Sequence, residues 1–146
     1  MQSYKRTLAG PLAEGRTNKR EAAVLQFAKQ LSACTWSFAA DGGAVGTYLF
    51  GQSLPAGAIV TNVWTDEETA VTGATSITLK AGSTALTGAL DLTASSGVNS
   101  QTLASSATGI KVTSASELQI AIATAAATAG KVTFYVEWMV KPGTVA

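Results

Sequence analysis

Lys131-Val132-Thr133-Phe134-Tyr135-Val136-Glu137-Trp138-Met139-Val140 (131–140) carries the strongest local pattern in the chain. Val132, Phe134, Val136, Trp138 and Val140 alternate with Thr133, Tyr135, Glu137 and Met139. Successive side chains of a strand point to opposite faces, so this run predicts a long strand with one apolar face. Upstream, Glu117 to Thr124 repeats the pattern: Leu118, Ile120 and Ile122 alternate with Gln119 and small alanines. Gly130 ends the connector between the two runs, and the spacing predicts a hairpin.

Working toward the N-terminus, period two persists. Ile110 to Thr113 reads as a short strand, and the polar stretch 93–109 reads as a long loop or a short edge strand. Leu86 to Leu92 is a weaker strand around Gly88, and Thr75 to Ala81 places Ile77 and Leu79 on one face. Ile59 to Thr65 has apolar groups on both faces: Ile59, Thr61, Val63 and Thr65 on one, Val60, Asn62 and Trp64 on the other. Leu54-Pro55-Ala56-Gly57 fits a type I turn with Pro at the second position and Gly at the fourth. Val45 to Phe50 precedes it, and Asp41-Gly42-Gly43 supplies a turn after the alternating Trp36 and Phe38. Roughly eight strands without a long helix predict an all-β sandwich or jelly roll over residues 34–146. A chain of 146 residues suits one core.

Residues 1–33 differ. The first sixteen have no sustained period and read as an extended arm. From Thr17 to Ala33, Asn18 and Glu21 stand at capping-box spacing, and Val24, Phe27, Ala28 and Leu31 fall on one helical face. A short helix is expected there, with an extended run along a neighbour as the alternative. Residues 1–31 hold six basic side chains against two acidic ones, whereas the remainder is mildly acidic. Lys5, Arg6, Arg16, Lys19 and Arg20, with the apolar Val24, Phe27 and Leu31, are therefore the candidate docking residues. The basic charges are spread out and only Tyr4 and Phe27 are interleaved, so an acidic protein surface is the expected partner and direct nucleic-acid binding is not.

Composition points to assembly. Hydrophobic residues make up 47% of the chain and charged ones only 13%, about half the usual share for a soluble domain. A surface short of charge is best explained by burial against partners, so a homo-oligomer is expected. No apolar stretch is long enough to span a bilayer, and no secretory signal is visible, which predicts assembly in a cytoplasm.

Catalysis has little to work with. The chain lacks histidine, which removes Ser-His-Asp and Cys-His arrangements and most zinc sites. Cys34 is alone and is expected to be a buried, inert thiol. The glycine cluster at 41–46 precedes a strand, so the helix N-terminus that a phosphate cradle needs is missing. The run Asp66-Glu67-Glu68 offers oxygen ligands suited to calcium, but adjacent carboxylates after a strand read first as a solvated turn. Nothing selects a glycosidase pair among nine acidic residues. Trp36, Trp64 and Trp138 suit a sugar-stacking face, yet their alternating context favours a core or an interface. No cofactor, metal or enzymatic activity is expected.

Leu54-Pro55-Ala56-Gly57-Ala58-Ile59-Val60, Ser76-Ile77-Thr78-Leu79-Lys80-Ala81-Gly82, Leu118-Gln119-Ile120-Ala121-Ile122 and Ala127 to Trp138 follow one another in an order that resembles small virion proteins of tailed bacteriophages. The resemblance spans a little over half the chain, from Leu54 to Met139. It implies a β-sandwich or jelly-roll subunit of a phage particle, most like a capsid cement (decoration) protein. It also implies a virion location, the major capsid protein as partner, a trimer as the oligomer, and no catalytic residues. A tail or fibre component is the structural alternative, and a carbohydrate-binding sandwich is the alternative of another class. The basic segment lies outside the resembling stretches and suits a terminus that laces onto a shell.

Overall fold

The computed structural model describes residues 29–73, 76–93, 97–105 and 109–140. Along the chain the elements are β1 (Gln30–Ser37), α1 (Phe38–Asp41), β2 (Gly46–Leu54), β3 (Ala58–Thr72), β4 (Ser76–Ala81), β5 (Thr84–Ala85), β6 (Val98–Gln101), β7 (Ile110–Lys111), β8 (Ser116–Ala123) and β9 (Ala129–Val140). They form two antiparallel sheets. The first runs β1-β9-β3-β6, with β7 pairing farther along β3; the second runs β2-β8-β4-β5. This is an all-β sandwich.

The alternation in 131–140 explains the centre of the first sheet. Val132, Phe134 and Val136 are fully buried, and β9 is flanked on one side by β1 and on the other by β3. From the second sheet, Leu118, Ile120, Ile122, Ile77 and Leu79 join the same core. Phe50 of β2 meets Phe134 of β9 with ring centroids 6.0 Å apart and planes tilted by 47°, a direct contact between the layers.

Several sequence expectations are corrected. β8 and β9 are not a hairpin: β8 pairs with β2 and β4, and β9 with β1 and β3, so the connector crosses between layers. Two of its backbone donors are taken by other segments, Ala127 N–H by the Gly43 carbonyl at 2.7 Å and Thr128 N–H by that of Thr72 at 2.7 Å. Thr124 takes a positive φ of 72° at the bend, and Ala127 is buried. Crossing lets both apolar faces cover one another, which pairing within one sheet does not achieve.

Residues 30–33 of the expected helix are strand. Gln30 to Ala33 pair with Trp138 to Tyr135, and completing the ladder beside β9 overrides the local helical spacing. The strand therefore begins inside the segment read as the arm. The earlier part of that segment, with Lys5, Arg6, Arg16, Lys19, Arg20, Val24 and Phe27, lies outside the described residues.

Leu86 to Leu92 is not a continuous strand. It touches β4 through Leu86 N–H to Leu79 O at 2.8 Å and Leu90 N–H to Ile77 O at 2.8 Å. Leu86, Leu90 and Leu92 are all buried, and Gly88 between them carries no side chain to hold a pleat. The stretch 93–109 does contain an edge strand, β6.

In β3 the strict alternation fails. The register shifts between Val60 and Asn62, so Val60 and Val63 are both buried despite odd spacing. A bulge inserts one unpaired residue and turns the following side chains over.

Candidate interaction surface on the first sheet

The chemical candidates do not converge. Asp66, Glu67 and Glu68 lie within β3, not in a solvated turn. Glu67 is buried and its carboxylate accepts from Asn99 Nδ2 at 2.7 Å, which ties β6 to β3. Glu68 instead pairs with Lys131 at 2.8 Å in the open. Successive strand residues point apart, so the three carboxylates cannot share one ion. Among the described residues no three Asp, Glu, Cys or His side chains gather to hold a metal.

Asp41 accepts from Ser37 N–H at 2.9 Å and closes the short turn of α1. Cys34 is buried, and burial pushes its thiol up to about 11, so it stays protonated near neutral pH. A cavity of about 330 Å³ at the end of the sandwich, lined by Val71, Ile77, Leu90 and Leu92 among others, contains a single carboxylate, Asp91. That carboxylate is occupied by the Thr93 hydroxyl at 2.6 Å.

The tryptophans do not form one stacking platform. Trp36 is fully buried, with its indole N–H on the Gly42 carbonyl at 3.1 Å. Trp138 is half-buried against the core and donates to Ser32 Oγ at 3.0 Å. Trp64 alone stands on the outward face of β3.

What the fold does assemble is an oblique apolar stripe on that outward face. Leu31 on β1, Tyr135 on β9, Trp64 on β3 and Val98 on β6 line a shallow cavity of about 270 Å³. The register explains the geometry. Tyr135 pairs directly with Trp64, while Leu31 pairs with Glu137 and Val98 with Asp66, so the stripe shifts by two residues at its first and last steps. Leu31 at one end is 61% exposed and Val98 at the other 65% exposed, so the stripe leaves large apolar side chains open at both ends.

A carboxylate marks each end of the stripe. Beside Leu31, Glu137 accepts from Thr61 Oγ1 at 2.8 Å and Asn62 Nδ2 at 2.9 Å, and Lys29 Nζ lies 3.1 Å away. Beside Val98, Asp66 has no side-chain partner among the described residues.

The Asn62 and Thr61 hydrogen bonds, with a smaller contribution from Lys29, hold the Glu137 carboxyl below its ordinary value. A carboxyl depressed on folding stabilises the fold above its unfolded value, and that contribution is lost as pH falls through the folded one. Glu137→Gln should therefore melt lower than the parent near neutral pH. The gap should close as pH falls below about 4, near the ordinary glutamate value. Melting curves from pH 3 to 7 check this, and a gap that stays constant or widens in acid refutes it.

Of the docking residues expected from sequence, the described structure contains only Leu31, and it lies on this stripe. Trp64 was conspicuous as an aromatic, and Tyr135 stood on the outward row of the strongest alternation. Val98 lay in a polar stretch with no signal.

No protein-family model and no curated protein matches the chain. Solved structures do, two phage capsids among them. A chain of the cyanophage Pam1 capsid asymmetric unit superposes with a TM-score of 0.58 at 20% identity, covering 80% of this chain and 87% of that one. A chain of an acidic stable capsid structure of Helicobacter pylori bacteriophage KHP30 superposes with a TM-score of 0.54 at 19% identity, covering 77% and 87%. At such identities the likeness is one of fold: a similar fold, over 77–80% of this chain, also occurs in chains of two phage capsids.

Proposed function

We propose that this protein is a structural subunit of a bacteriophage capsid, and that within the shell it acts as a cement (decoration) subunit on the major capsid protein. The observation that carries the reading is the fold match, over 77–80% of the chain, to chains from two phage capsids. The strand order supports it. With β1-β9-β3-β6 against β2-β8-β4-β5, the chain crosses between layers at most connections, and we read this as a jelly roll. The role is mechanical, not catalytic. A cement subunit needs surface that adheres, and the exposed stripe and the basic N-terminal segment both supply it.

In this reading Lys5, Arg6, Arg16, Lys19 and Arg20 orient the N-terminal segment on an acidic shell surface, while Val24, Phe27 and Leu31 supply apolar contact. The subunits associate as trimers, which suit the three-fold positions of an icosahedral shell. Light scattering should then give a mass near three times 14.8 kDa.

The deciding experiment replaces the five cations by Gln in the full chain and adds it to particles lacking the native protein. Exposed ion pairs contribute about 0.2–1 kcal/mol each, so binding should weaken by at least about fivefold at low salt, with an unchanged melting temperature. Undiminished decoration would remove the cations from the anchor. Parent protein found only on tails would move the reading to a tail or fibre component.

A further inference from the structure

The stripe on the first sheet has a candidate occupant within this chain. Lys29, the first described residue, is already seated on Glu137 at one end of the stripe, so the preceding chain begins at the stripe's edge. Read backward from there, the sequence gives Lys29, then Phe27, Leu25 and Val24, then Arg20 and Lys19. The surface carries a carboxylate beside each end of its apolar stripe: Glu137 beside Leu31, then Tyr135 and Trp64, then Val98 with Asp66 beside it, which has no side-chain partner among the described residues.

The lengths also agree. From β1 to β6 is three strand spacings, about 14 Å. The nine residues from Arg20 to Lys29 span about 14 Å if helical and up to about 30 Å if extended. Attachment through Lys29 keeps the segment at high effective concentration over its own sheet, which favours it over a second copy's.

We propose that residues 18–28 of the same chain dock on this face, with Val24 and Phe27 covering Tyr135 and Trp64 and with Lys19 or Arg20 reaching Asp66. In the free subunit this shields the stripe. The inference concerns the isolated protein and stands independently of any role in a capsid.

The test places a nitroxide label on the full chain through Val24→Cys, since the buried Cys34 thiol is protonated near neutral pH. In an isotope-labelled sample, the Trp64 indole N–H and the Tyr135 and Val98 amide signals should lose most of their intensity. Those of β4 and β5, on the other sheet, should keep theirs. A label at Leu49→Cys, on the outward face of the second sheet, should leave Trp64 untouched. Adding Val98→Asp, an exposed change that spares the core, should restore the Trp64 signal. No loss at Trp64 from position 24, or a loss that Val98→Asp does not reverse, overturns the proposal. A full loss in a mixture where label and isotope sit on different chains also overturns it, and assigns the face to a second copy.

Discussion

Trp36→Ala should lower the stability of the fold by about 3–5 kcal/mol, the usual cost of emptying a large buried aromatic site. The ring is fully buried, and its N–H is bonded to Gly42 O, just beyond α1. It also lies against the backbone of Gly130, where an added Cβ would come within 3.2 Å of the indole. One side chain thus packs the end of β1, the turn after α1 and the start of β9 together. Deletion leaves a cavity at this junction and takes the indole donor from the Gly42 carbonyl. Domains of this size have a total margin of about 5–15 kcal/mol, so the loss should appear as a large fall in denaturant midpoint. Trp36→Phe should recover most of the packing but not the hydrogen bond. A loss under about 1 kcal/mol for the alanine variant would mean that the junction collapses without cost, against the expected cavity penalty.

Gly43→Ala should cost about 2–5 kcal/mol by a different mechanism. A Cβ at this position would stand 2.2 Å from Ala127 O and 2.8 Å from Ala127 C. Those are backbone atoms of the connector that carries the chain from β8 to β9, so no rotamer change relieves the clash. The Ala127 N–H to Gly43 O bond would have to open with it, leaving a buried donor unpaired. Gly42 provides the contrast. It has a positive φ of 80° but nothing within 4 Å of an added Cβ, so Gly42→Ala should cost only about 1–2 kcal/mol of backbone strain. Paired denaturant titrations of the two variants decide the matter. Equal losses would show that conformation, not close approach, sets the requirement for glycine.

The particular strands show what could be read in advance. β9, β8 and β4 were evident because each has a buried side and a more exposed side, and period two is written in consecutive residues. Proline and glycine marked a turn before β3, but it lies one residue later than the type I turn read over 54–57: Ala58 N–H bonds Pro55 O at 3.1 Å around Gly57 at a φ of 85°, while Gly57 N–H goes to Val112 O. The partner of each strand was not. β8 and β9 are neighbours in sequence, yet their pairing was settled by segments far away: β2 and β4 for one, β1 and β3 for the other. Gln30 to Ala33 looked helical by spacing and became strand because β9 offered an unpaired edge.

The candidate site divides along the same line. The absence of histidine, the basic excess before residue 32 and the apolar character of Leu31 are properties of the chain as written. They turned the reading toward adhesion, since histidine, the usual general base near neutral pH, is missing. The stripe itself is a tertiary product. Leu31, Trp64, Val98 and Tyr135 are scattered over four strands, and only the register of β1, β9, β3 and β6 brings them side by side. The bulge at Thr61 helps decide that Trp64 faces outward, and a shift of one residue there would have buried it. Glu67 was likewise indistinguishable in sequence from its acidic neighbours. It is buried because β6 brings Asn99 within 2.7 Å of its carboxylate, and that donor offsets the cost of removing the charge from water. Local spacing determined which residues could lie on one face of a strand. Long-range pairing, whose free energy no single segment contains, decided which faces met each other and which were left open to a partner.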